Sequence, residues 1–309
     1  MSILRTLAPA KVNLGLFVGP TRAADGRHEL VTVMQSISLA DDVELEQDVA
    51  GLQRDEVVCP GVQGPADENL AARALAAFRA STGWEAPPLR LRIHKRIPVA
   101  AGLAGGSADA AAALRLARHA SGLADEQLLR TLAAQLGADV PAQISPGRWL
   151  ASGAGECLQQ LPDPNAESFG LLIVPSTAGL STAAVYAEAD RLGLGRSGAD
   201  LENRRRALQT ALELSAAVPA AGELLDNDLQ RAAISLCPQI ARTLKEVREA
   251  GADLALVSGS GPTVVGLFPH ANGLGRAQRA AAGLHGREPA PICATPVDAS
   301  SSQCVTISG

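Results

Sequence analysis

The chain has 309 residues, 47% of them apolar, and a mass of 31.6 kDa, which exceeds the usual size of one hydrophobic core and predicts two domains sharing a cleft. Its 27 basic and 32 acidic residues leave a formal charge of −5, and neither a basic stripe nor an alternation of aromatic and basic residues occurs. Nucleic acid is therefore excluded as a partner.

Residues 3–18 read as a strand in which Lys11 and Asn13, two positions apart, share a face. A loop rich in Gly, Pro, Asp and Arg covers 19–28, and residues 29–37 and 42–46 then alternate as two more strands. Residues 69–82 have helical spacing through Leu70, Ala74, Leu75 and Phe78, whereas 89–95 alternate like a strand. That strand leads into a loop of small residues and then an alanine-rich helix. Residues 125–136 predict another helix, closed by Gly137, so Asp139 falls just past a helix end. The polar stretch 161–168, with two prolines, is the best domain boundary and gives domains 1–164 and 165–309. Beyond it come a strand over 169–174, a Gly/Arg-rich connection over 193–206 and helices near 205–216 and 237–250. Strands 254–257 and 263–268 flank the glycine turn Ser258-Gly259-Ser260-Gly261.

The loop Pro98-Val99-Ala100-Ala101-Gly102-Leu103-Ala104-Gly105-Gly106-Ser107 carries the most chemical information. Small residues let backbone N–H groups approach an anion, and the unpaired amides of the following helix start favour negative charge there. Gly106 is followed directly by Ser107, so the lysine of a Walker A loop is missing; Ala104 breaks the Gly-x-Gly-x-x-Gly dinucleotide pattern. The same residues would also suit a turn that merely packs a helix tightly on a sheet. Lysine is scarce: Lys11, Lys95 and Lys245 are the whole complement, the other cations being arginine. A compact ammonium is a movable point charge for phosphate, which marks the two lysines beside motifs.

The cysteines, Cys59, Cys157, Cys237, Cys293 and Cys304, form no Cys-x-x-Cys and no His/Cys grouping, as expected of a reduced intracellular protein. No signal-like segment follows Met1 and no apolar run reaches membrane-spanning length. A cytoplasmic protein without a membrane partner is expected.

Three segments, Pro9-Ala10-Lys11-Val12-Asn13-Leu14, residues 98–111 and Ser258-Gly259-Ser260-Gly261, resemble in order the three motifs of the GHMP superfamily. These are the small-molecule kinases named after galactokinase, homoserine kinase, mevalonate kinase and phosphomevalonate kinase. Asp25-Gly26-Arg27-His28-Glu29-Leu30, Leu136-Gly137-Ala138-Asp139-Val140-Pro141 and Asn227-Asp228-Leu229 are similar to the branch whose acceptor is a cytidine-diphosphate-linked methylerythritol. The resemblance implies a two-domain α/β (α+β) fold, its amino-terminal domain like the second domain of ribosomal protein S5 and its carboxy-terminal domain ferredoxin-like. It implies ATP as donor with Mg²⁺, and phosphorylation of the 2-hydroxyl of the methylerythritol unit in the non-mevalonate isoprenoid route.

By the same resemblance, Asp139 takes the proton of the attacking hydroxyl, while Lys11 keeps Asp139 ionised and orients that hydroxyl. Pro98, Val99, Ala100, Ala101, Gly102, Leu103, Ala104, Gly105, Gly106 and Ser107 cradle ATP, with Lys95 contacting the nucleotide. Asn13, Arg27, His28, Thr182 and Tyr186 would hold the acceptor, Tyr186 stacking on cytosine. Asp109, in the first turn of the helix, is expected only to stabilise the helix dipole. Five positions depart from the family's pattern. Arg27 stands where tyrosine is usual, although a guanidinium plane also stacks on a base; Ala104 and Ala108 replace Gly and Ser; and Ala142-Gln143 interrupts the usual apolar continuation. No acidic residue stands out as a metal ligand. A superfamily member with a cytidine-free acceptor, of homoserine or mevalonate type, and a non-catalytic ATP or ligand sensor are the competing readings.

Overall fold

In the computed structural model, which describes residues 2–62, 65, 68–165, 168–214 and 224–308, the opening alternation is carried by two long strands. These are β1 (Ser2–Thr21) and β2 (His28–Glu46). The two strands expected at 29–37 and 42–46 are thus one, because residues between them stay extended and pair with β1, Ala40 opposite Pro9 and Asp41 opposite Ala8. In chain order follow β3 (Glu56–Val58), α1 (Leu70–Thr82), β4 (Arg90–His94), α2 (Gly105–Ser121), α3 (Glu126–Leu136) and α4 (Val140–Ile144). Next come β5 (Arg148–Ser152), β6 (Cys157–Leu161), β7 (Phe169–Val174), α5 (Thr182–Arg191), α6 (Gly198–Leu214) and α7 (Gln230–Leu236). The last are α8 (Gln239–Glu249), β8 (Leu254–Val257), β9 (Val264–Pro269), α9 (Gly273–Gly283), β10 (Ile292–Ala294) and β11 (Val305–Ser308).

The strands form two sheets. The first has the order β11-β1-β2-β4-β3, with β5 paired to the early part of β2 and β6 beyond it; all pairs are antiparallel except β3 with β4. The second is the antiparallel β10-β7-β9-β8. Strand β7 reads as a continuous apolar run because both its faces are buried. Phe169, Leu171 and Ile173 pack into a core shared with β1 and β2, while Leu172 and Val174 turn to one shared with α5, α7, α8 and α9. A third core lies between the first sheet and α1–α4. Helix α2 sits in its middle, and its alanines let β1 and neighbouring helices approach on several sides. No helix among the described residues is long and apolar enough to cross a membrane.

The link between β6 and β7 spans the expected boundary stretch, of which residues 166–167 lie outside the described residues. The chain does not keep to that division afterwards: β11 returns to pair with residues 2–5 of β1 in the first sheet. The connection expected over 193–206 becomes helical at Gly198, where α6 starts; residues 215–216 of the helix expected there lie outside the described residues.

Candidate active site

Strand β1 is irregular on both sides of Lys11 and Asn13: its register against β2 shifts between Pro9 and Lys11 and again between Asn13 and Gly15. Such irregularities re-aim side chains locally. The shift leaves the Pro9 carbonyl to a side chain, the buried Gln143, whose Nε2 donates to it at 3.1 Å. This accounts for a polar residue after Pro141. The Lys11 amide donates to the Leu103 carbonyl at 3.1 Å, which joins the small-residue loop to β1 beside the lysine.

Within that loop Ala100, Gly102 and Ala104 all have left-handed backbones, with φ of 57°, 73° and 56°. The turn brings the chain to α2, whose N-cap, Ala104, offers no side-chain acceptor. The first amides of α2, at Gly105, Gly106 and Ser107, therefore lack the partner that a Ser or Asp cap supplies, and the helix dipole adds positive character beside them. Gly102 has a second reason to be glycine. A Cβ there would stand 2.8 Å from the Gly261 carbonyl oxygen and 3.2 Å from that of Ser258, so loop and glycine turn touch backbone to backbone.

Lys95 runs beneath this loop, its Nζ 3.2 Å from where a Cβ on Gly105 would be. Its ammonium is already matched: it bonds Asp41 and, at 2.8 Å, Asp109. Burial opposes its charge, yet the two carboxylates raise its pKa. Asp109 is buried in α2, so the expectation of a simple dipole-stabilising carboxylate is corrected. Burial, with the charge of Asp41, pushes its carboxyl up to about 7 against the pull of Lys95, and its Oδ1 has no hydrogen-bond partner among the described residues.

Asp139 is the N-cap residue of α4, but its side chain makes no capping bond. Its Oδ2 instead stands 3.4 Å from Lys11 Nζ, with the lysine side chain 9% exposed and the carboxylate 39%. Lys11 Nζ also donates to Asn13 Oδ1 at 2.8 Å, and Asn13 Nδ2 donates to Thr32 Oγ1 at 2.7 Å. Asn13 was expected to meet the acceptor; both ends of its amide are engaged within the protein.

At the other end of the cleft the His28 and Tyr186 rings pack with centroids 5.2 Å apart and planes at 31°. His28 Nδ1 donates to the Gly19 carbonyl at 3.2 Å, and Nε2 lies 3.3 Å from Asp190 Oδ2. Burial, with the negative charge of Asp139, pushes the Tyr186 hydroxyl up to about 12. Arg27 is turned to the rim, where its Nε bonds Asp25 at 2.8 Å. The ring packed on Tyr186 is thus His28. Thr182, at the start of α5, has its hydroxyl 3.0 Å from that of Ser260, linking α5 to the glycine turn.

Every residue that the sequence marked for catalysis, nucleotide or acceptor, from Lys11 to Tyr186, lines one cleft of about 910 Å³. Sequence reasoning passed over part of its wall, namely Thr32 and Met34 on β2, Cys59 just after β3, and Glu68, Asn69 and Leu70 around the start of α1. Asn69 carried a visible signal as the N-cap of α1, accepting from Ala71 at 2.9 Å. Among the described residues no group of three or more His, Cys, Asp or Glu is arranged to hold a metal ion.

Residues 69–147 match the family model described as GHMP kinases N terminal domain, and residues 202–286 match GHMP kinases C terminal. A 4-diphosphocytidyl-2-C-methyl-D-erythritol kinase of Anaeromyxobacter dehalogenans (strain 2CP-C) is 41% identical over 290 residues, covering 92% of this chain and 86% of its own. One from Streptomyces coelicolor is 43% identical over 261 residues, 82% and 84% of the two chains. The crystal structure of a 4-(cytidine 5'-diphospho)-2C-methyl-D-erythritol kinase superposes with a TM-score of 0.74 at 32% identity, over 94% of this chain and 98% of that one. A homoserine kinase from Cytophaga hutchinsonii, at 16% identity, 98% and 97% coverage and a TM-score of 0.72, shares the fold.

Proposed function

Since the chain belongs to the 4-diphosphocytidyl-2-C-methyl-D-erythritol kinase family of the GHMP kinases, we propose that it transfers the γ-phosphoryl group of ATP to the 2-hydroxyl of 4-diphosphocytidyl-2-C-methyl-D-erythritol. Its class is that of an ATP-dependent small-molecule kinase, and the reaction belongs to non-mevalonate isoprenoid synthesis. One observation carries the reading: the Lys11–Asp139 pair, at 3.4 Å, shares a cleft with an uncapped helix N-terminus and with the His28–Tyr186 pair.

Phosphoryl transfer asks a protein for alignment, charge neutralisation and a proton acceptor. The amides of Gly105, Gly106 and Ser107 hold the phosphates of ATP. The acceptor hydroxyl lies against Asp139, which receives its proton as the oxygen bonds the γ-phosphorus and the bond to the β-phosphate oxygen breaks, releasing ADP. Lys11, anchored by Asn13, fixes the carboxylate and neutralises charge beside the transferring group. Lys95 acts from below, packed under Gly105 and tying α2 through Asp109 to Asp41. Mg²⁺, as companion of ATP, would supply further charge neutralisation at the phosphates beside Lys11; among the described residues no group of three or more His, Cys, Asp or Glu is arranged to hold it. Cytosine would be read by Tyr186 and His28, a recognition that homoserine or mevalonate does not need.

The test is ADP release with the cytidine substrate, homoserine and mevalonate in turn, for the parent chain and for Asp139→Asn. Release with the cytidine substrate alone, falling about 10²- to 10⁴-fold in a folded Asp139→Asn variant, is expected of a lost general base. Equal rates in parent and variant would remove Asp139 as the base, and tight ATP binding without ADP release from any alcohol would identify a sensor instead.

A further inference from the structure

A hydrogen-bonded chain runs behind Lys11, and its ends set its direction. At one end Thr32 Oγ1 donates to the Gly15 carbonyl at 2.6 Å, and a carbonyl can only accept. With its one hydrogen spent there, the hydroxyl can receive Asn13 only through the amide's NH₂ end, at 2.7 Å. The amide is thereby oriented so that Oδ1, and not Nδ2, faces Lys11 Nζ at 2.8 Å. The ammonium at the other end can only donate. The two ends of a side-chain amide are nearly alike in shape, so this network alone decides which one the lysine meets. A flipped Asn13 would point N–H groups at a buried cation.

The surroundings hold Asn13 closely. Asn13 and Thr32 are 5% and 4% exposed. The Asn13 backbone N–H donates to Ser258 Oγ at 3.2 Å, and a Cβ on Gly259 would stand 3.2 Å from Asn13 Oδ1, so the glycine turn closes the site from the second sheet. The register shift between Asn13 and Gly15 is the local irregularity that brings Thr32 under the Gly15 carbonyl.

We propose that Thr32 is a positioning residue for phosphoryl transfer: its hydroxyl fixes the orientation of Asn13, and through it the place of the Lys11 ammonium beside Asp139. The inference rests on the role given to Lys11 under the proposed function. Thr32 touches neither phosphoryl group nor acceptor oxygen in this scheme. Its loss should therefore act on kcat, with binding of both substrates largely kept.

The experiment compares Thr32→Val, which keeps the shape, Thr32→Ala, which adds no bulk, and Thr32→Ser, which keeps the hydroxyl, with Lys11→Ala alongside. Thermal melts and binding of a fluorescent ATP analogue establish that each variant is folded. Thr32→Val or Thr32→Ala should lower kcat about ten- to hundredfold, the worth of a hydrogen bond that governs a charged group, with KM for ATP and for the cytidine substrate within about twofold. Thr32→Ser should restore most of kcat. Parent-like kcat in folded Thr32→Val and Thr32→Ala, where Lys11→Ala is inactive, overturns the role of Thr32 and leaves that of Lys11 standing. Equal losses in Thr32→Ser and Thr32→Val also overturn it, since the hydroxyl would then not be what matters. An active Lys11→Ala overturns the parent reading, and the inference with it.

Discussion

Ala104 holds φ at 56° in the residue that opens α2, and Ala100 holds 57° four residues earlier. A left-handed backbone costs an L-residue with a Cβ about 1–2 kcal/mol, which glycine does not incur. Glycine in turn frees the unfolded chain, at a cost of about 0.4–1 kcal/mol. Ala104→Gly is therefore expected to raise stability by about 0.5–1 kcal/mol and the melting temperature by about 2 °C, with KM for ATP no higher than the parent's. A lower melting point would show that the alanine methyl makes a contact worth more than the strain. The sequence flagged this position as a departure, but it could not show that the alanine keeps the glycine backbone. The same limit applies at Lys95 and Arg27, which were legible as cations near the right motifs. Their partners, Asp41 with Asp109 and Asp25, depend on tertiary approach or turn geometry that periodicity does not encode.

At the scale of elements, three motifs far apart in sequence meet on β1. The loop before α2 bonds to it at Lys11, the turn between β8 and β9 bonds to it at Asn13, and the stretch around Asn227 pairs with it at Leu16. Asn227 ties the last two together, donating to the Val257 and Gly259 carbonyls at 2.7 Å each while accepting from the Leu229 amide. Asp228 continues the clamp by accepting from the Val18 amide at 2.9 Å and pairing with Arg196. Each motif was visible as a local pattern of small or polar residues; why they occur together is explained by this shared strand. Gly102→Ala should wedge the loop from the glycine turn, because the new Cβ meets fixed backbone rather than a side chain able to move. A stability loss of about 1–3 kcal/mol and a KM for ATP raised about tenfold or more are expected from melting curves and steady-state rates. Parent-like values for both would mean that the two turns are free to separate.

At the scale of the whole molecule, the strands and helices with strong periodicity were legible, and so were the short β4 and β8, which border glycine-rich turns, whereas other short elements were not. Helix α4 has five residues, β10 three and β11 four, too few to show a period. Their existence is decided by partners, Pro9 through Gln143 for α4 and the edge of β1 for β11. The return of β11 has a mechanical role, since it covers residues 2–5 of β1, which would otherwise be a free edge open to pairing with another chain. Ending the chain after Gln303 should lower unfolding free energy by about 2 kcal/mol, from the lost ladder bonds, and increase concentration-dependent aggregation, measured by urea unfolding and light scattering. Since β11 contributes nothing to the cleft lining, kcat should persist in the soluble fraction; unchanged stability and solubility would deny β11 this guarding role. The uncapped start of α2 has a further consequence, for the folded state itself. In the function proposed above, the opening amides of α2 take the phosphates of ATP, so the nucleotide would serve as a missing piece of secondary structure as well as a reactant. At a nucleotide concentration one hundred times its Kd the fold gains about 2.7 kcal/mol, and a cell depleted of ATP would hold this protein in a form more easily opened and digested at the loop where α2 begins.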